Sequence, residues 1–85
     1  MTAAEKRYLD KVGQLPCVVC GATPVEIHHV RRYGENRKHS KVVPLCWYHH
    51  RGPEGLHHLG KRAFERKYLS QDSMLDKTRE LLGEI

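Results

Sequence analysis

Thiol and imidazole side chains stand in pairs along the middle of this chain: Cys17-x-x-Cys20, His28-His29, Cys46-x-x-His49-His50 and His57-His58. All three cysteines and all seven histidines of the 85-residue sequence lie between Cys17 and His58. Such donors at two-residue spacing are the ligand set of zinc, because two intervening residues let both sulfurs reach one ion. Cys17, Cys20 and Cys46 would supply three corners of a tetrahedron, and His49, or His57 in its place, the fourth. The bland alternative is three buried thiols acting as small apolar side chains; paired spacing at both ends favours zinc. With that site filled, His28, His29, His50, His57 and His58 remain, enough for a second, open site where chemistry could occur. A second closed zinc site completed by His57 or His58 is the non-catalytic version of the same arrangement.

A metal also suits the size. A chain this short buries only about 60% of its unfolded surface, so its core is marginal without a staple. Three cysteines cannot all pair within one chain, and Met1 leads directly into the charged run Glu5-Lys6-Arg7 rather than into a secretory signal. The apolar runs are too short to cross a bilayer. The expected location is therefore cytoplasmic, with cysteines reduced and available for metal. The net charge is +5, and residues 28–67 hold ten Lys/Arg against three Glu. A basic middle that coincides with the ligand pairs points to a polyanion, most simply nucleic acid.

These side chains need a frame. Thr2-Ala-Ala-Glu5 reads as a capping box opening a helix over about residues 3–12, with Tyr8, Leu9 and Val12 on one face. Cys17-Val-Val-Cys20-Gly21 resembles a zinc knuckle. Val25 to Val30 has the β-branched content of a short strand, and Val42-Val-Pro-Leu45 reads as a second, with Pro44 requiring an edge or a strand end. From Cys46 the ligands fall at i, i+3 and i+4, the spacing of one helical face. Further helices are predicted over about 56–69 and 73–83, with Met74, Leu75, Leu81 and Leu82 as core. Trp47 and Tyr48 are expected to pack.

The combined string Cys17-Val-Val-Cys20, Ile27-His-His-Val30, Val43-Pro-Leu-Cys-Trp-Tyr-His-His50 and His57-His-Leu-Gly60 followed by Phe64 resembles the HNH, or ββα-metal, endonucleases. Within them it is most similar to the phage recombination-enhancement (Ref) nucleases, which act on DNA held by the RecA recombinase. The resemblance covers roughly residues 15–68. It implies that His28 and His50 bind a catalytic divalent metal (Mg²⁺, Mn²⁺ or Zn²⁺) and that His29 is the general base. The chain departs from the pattern at the central asparagine, whose position falls on Lys41. Asn36 and His39 lie nearby, and His39 is the preferred substitute; a backbone carbonyl could also fill the role. Arg31, Arg32, Arg37, Lys38 and Lys41 flank the site on the interstrand loop and are candidate phosphate contacts. Lys61, Arg62, Arg66 and Lys67 read as a solvated helix face.

The expectation is thus one α+β domain over residues 1–85. A ββα-metal core with its zinc knuckle spans about 15–60, with helices at both ends. The expected activity is metal-dependent cleavage of DNA phosphodiesters, with a RecA filament as a further partner and the oligomeric state left open. The competing class is a non-catalytic, zinc-stabilised module that binds DNA or protein.

Overall fold

The computed structural model describes residues 1–30 and 38–83, so the expected contacts Arg31, Arg32 and Arg37, and Asn36, lie outside the described residues. Helix α1 spans Ala3–Gly13. It starts where the sequence says it should: Glu5 N–H donates to Thr2 Oγ1 at 3.1 Å, and Thr2 N–H donates to Glu5 Oε1 at 2.7 Å. These bonds satisfy two donors that the helix itself cannot. Val12 is its fully buried residue.

Strands β1 (Glu26–His29) and β2 (Val42–Leu45) pair antiparallel, with Glu26 opposite Leu45 and His29 opposite Val42. All of β2 is buried although the sheet has two strands. Pro44 lies opposite Ile27, and its carbonyl accepts the Val18 N–H at 3.1 Å, so the knuckle is docked on the outer edge of β2. Proline is tolerated there because that edge asks it for an acceptor only.

Strand alternation then divides the molecule. Val43 and Leu45 join the main core with Val18, Leu56, Phe64, Met74 and Leu75. His28 shares their face of the sheet, whereas His29 and Ile27 belong to the other, toward α1.

Helix α2 (Trp47–His50) begins at Cys46, and α3 spans Leu56–Leu59. The single helix expected over 56–69 is two. Gly60 has φ of 89° between α3 and α4 (Lys61–Lys67), a backbone region that breaks a right-handed helix. The last helix, α5 (Gln71–Leu81), starts two residues earlier than expected because Ser70 is its N-cap, accepting the Ser73 N–H at 3.0 Å. Met74 and Leu75 are buried as expected, but Leu81 is 42% exposed. It lies on the last turn, where the core no longer reaches it. Lys77 Nζ reaches back to the Val18 carbonyl at 2.9 Å and ties α5 to the knuckle.

Gly55 sets the spacing of α2 and α3. A Cβ there would stand 2.6 Å from the backbone C and O of His50. Gly55→Ala should therefore push α3 off α2 and lower stability by about 1–3 kcal/mol. A thermal melt measures it, and an unchanged midpoint would contradict so close a contact.

Candidate active site

Cys17, Cys20, Cys46 and His49 converge, with one ligand atom from each lying within 4.8 Å of all the others. The knuckle turn supplies the first two, the junction of β2 and α2 supplies Cys46, and one helical turn returns His49 to the same point. Cys20 Sγ and Cys46 Sγ are 3.7 Å apart, and Cys46 Sγ lies 3.3 Å from His49 Nδ1. Two thiolates on tetrahedral zinc stand about 3.8 Å apart given a bond near 2.3 Å, whereas a disulfide would need about 2 Å. The spacing fits a Cys₃His zinc site.

Burial pushes the Cys17 thiol up, but N–H groups of Cys46, Cys20 and Val19 outweigh it and leave Cys17 below the ordinary range. Burial pushes Cys46 up to about 11, with the neighbouring sulfurs adding to the rise against the His49 N–H. Three crowded sulfurs hold negative charge poorly on their own, and a dication at their centre reverses that. Tyr48 and Tyr68 flank the His49 ring edge-on, with centroids 5.1 and 5.0 Å away. Tyr68 is anchored in turn by its hydroxyl, which donates to Glu54 at 2.8 Å.

A second group forms from His28, His50 and His57. His57, weighed in the sequence as an alternative fourth ligand of the cysteine site, is placed here instead. His50 Nε2 and His57 Nε2 face each other at 3.1 Å, close to the roughly 3.3 Å between two imidazole nitrogens on one tetrahedral ion. The His28 ring centroid lies 5.3 Å from both other rings. His28 and His50 are buried, whereas His57 is exposed, so the group is open on one side. That openness separates a site able to admit a substrate from a closed structural one.

Burial lowers the His28 pKa to about 4, against the hydrogen bond that the ring makes to the Gln71 oxygen, which raises it. Burial lowers His57 as well. A neutral imidazole is the form that binds a metal.

Two residues that the sequence did not single out support these rings. Glu26 Oε1 accepts from His50 Nδ1 at 2.8 Å, and Arg51 Nε donates to the same carboxylate at 2.9 Å. Those hydrogen bonds, from Arg51 first and His50 second, hold Glu26 at a pKa of about 2. Gln71 Oε1 lies 2.9 Å from His28 Nε2. Glu26 stands two positions before His28 on β1, so strand alternation could have pointed to it. Gln71 is 43 residues from His28, and nothing in its surroundings in the sequence marks it.

On the opposite sheet face His29 Nε2 lies 3.1 Å from His39 Nδ1. A cavity of about 350 Å³ adjoins this pair, lined by Ala4, Glu5, Tyr8, Lys38, His39 and Ser40. Lys38 is exposed and Lys41 half-buried; His58 is exposed and outside both metal-ligand groups. Trp47 and Tyr48 are 54% and 46% exposed rather than packed away. The turn that points His49 and His50 inward sends their helical neighbours toward solvent.

A small α+β frame thus carries a Cys₃His group, an open three-histidine group and a separate histidine pair. The chain belongs to the recombination enhancement, RecA-dependent nuclease family, whose model it matches over residues 1–83. That description makes the family one of nucleases involved in recombination and implies a nucleic acid substrate and dependence on RecA.

Proposed function

We propose that this protein is an HNH-type, metal-dependent DNA endonuclease. The observation that supports this best is the open His28–His50–His57 group, with His29 beside His28 on the strand and already paired to His39. Cys17, Cys20, Cys46 and His49 hold structural zinc. His28, His50 and His57 hold one divalent ion, Mg²⁺, Mn²⁺ or Zn²⁺. When bound there, such an ion offers positive charge to a scissile phosphate and to the leaving 3′ oxygen.

The chain's own residues do the rest. His39 Nδ1 accepts the His29 Nε2–H, which leaves His29 Nδ1 as the basic nitrogen. His29 takes a proton from the attacking water, and the hydrogen bond to His39 strengthens as the ring gains charge. His39 so fills the orienting role that asparagine plays in the HNH pattern. Lys38 and Lys41, with Arg31, Arg32 and Arg37, contact DNA phosphates without reading sequence. The substrate is DNA held by a RecA filament in the cytoplasm of a bacterial or phage-infected cell.

Glu26 orients His50, so Glu26→Ala should weaken divalent-metal binding at the histidine group by about 10–100-fold. A Mn²⁺ titration of the zinc-loaded protein reads this, and equal affinities would remove Glu26 from the site.

The activity itself is tested with supercoiled plasmid and circular single-stranded DNA, each bare and RecA-coated, with Mg²⁺ or Mn²⁺. Cleavage that a chelator abolishes and added metal restores is the expected result. Intact DNA under every condition, from protein that retains zinc, would favour the non-catalytic binding module.

A further inference from the structure

The feature of the three-histidine centre with no explanation in its sequence neighbourhood is the buried amide of Gln71. This residue is 7% exposed, at the first position of α5, and comes from an element remote from every histidine. Its backbone is fixed on one side by α4, where Glu65 Oε2 accepts the Gln71 N–H at 2.6 Å. Its side-chain oxygen is aimed at the ring of His28, 2.9 Å from Nε2. Helix α5 itself is held in place through Met74 and Leu75 in the core and through Lys77 on the knuckle. The amide is therefore delivered to His28 by a rigid element.

We propose that Gln71 is a positioning residue of the divalent-metal centre: its carbonyl oxygen accepts the Nε2–H of His28 and thereby presents His28 Nδ1 to the ion. This rests on the reading that the three histidines hold a metal. A neutral imidazole has one N–H and one lone pair, and a partner that accepts at one nitrogen puts the lone pair on the other. The Gln71 oxygen occupies the direction in which Nε2 would otherwise meet a metal, so the ring meets the ion with Nδ1. The same bond fixes the rotation of the buried His28 ring.

The two supporting residues differ in a useful way. His50 is backed by the carboxylate of Glu26 and His28 by a neutral amide. The amide orients its ring without placing a second negative charge beside a site that must accept a phosphate.

The test uses the full chain, ¹⁵N-labelled and loaded with zinc at the cysteine site. Long-range ¹H–¹⁵N spectra report the His28 tautomer, and Mn²⁺ titration followed by electron paramagnetic resonance reports the second site. The wild type should show the Nε2–H tautomer. Gln71→Leu should give mixed tautomers at His28 and bind Mn²⁺ about 10–100-fold more weakly. Gln71→Glu, which keeps an acceptor in place, should recover the single tautomer.

An Nδ1–H tautomer in the wild type would overturn the proposal, as would Mn²⁺ affinity unchanged in Gln71→Leu. A wild type that binds no Mn²⁺ would instead overturn the metal reading beneath it. Should Gln71→Leu fail to fold, the wild-type tautomer alone decides.

Discussion

His29→Ala is expected to lower DNA cleavage by about 10²–10⁴-fold, the usual contribution of a positioned general base, while folding, zinc content and DNA affinity stay close to wild type. The separation follows from the sheet. His29 and His28 are neighbours on β1 but belong to opposite faces, and His29 is in neither metal-ligand group. Its ring is half-buried and contacts His39 at its Nε2, so its loss opens little core. Nicking of supercoiled plasmid in the presence of Mg²⁺ or Mn²⁺ is the measurement, with circular dichroism and zinc content as controls. Equal cleavage by both proteins would remove His29 from the chemistry. A variant that also lost zinc would show the residue to be structural.

The second large effect belongs to the cysteine site. Cys46→Ser, or a zinc chelator acting on the wild type, should unfold the domain. Structural zinc contributes about 10–16 kcal/mol in small zinc peptides, whereas a whole domain is stable by roughly 5–15 kcal/mol. Cys46 is also the joint of the core: it follows β2 directly, caps the start of α2 and sits 3.7 Å from Cys20 across 26 residues. Loss of helical circular dichroism on chelation, reversed by added Zn²⁺, is the expected observation. A fold that survives chelation would show that Val18, Val43, Leu45, Phe64 and Met74 suffice without a metal.

Pairing two further variants assigns the fourth ligand. His49→Ala should reduce zinc affinity sharply. His57→Ala should leave the zinc and the fold in place and weaken only the second, histidine site.

The parts of this protein that were legible in the sequence depend on short-range spacing. Cys17-x-x-Cys20 and Cys46-x-x-His49 each bring two donors to one point through a turn or a helical step, so their geometry is local. The Thr2–Glu5 capping box and the start of α1 are equally local. So is the alternation that separates His28 from His29, because it needs only that the segment be a strand.

What the tertiary structure decided is how these pieces meet. Whether His57 joined the cysteines or His28 turned on the close approach of α3 to α2 at Gly55, which a ligand pattern does not encode. The exposure of Trp47, Tyr48 and Leu81 depended on where the core ran out of surface to cover them. Glu26 was half legible, two residues before His28 on a strand, but its partner His50 is 24 positions away. Gln71 was not legible at all. A glutamine at the start of a helix has no chemistry until folding carries a histidine 43 residues distant to within hydrogen-bond reach.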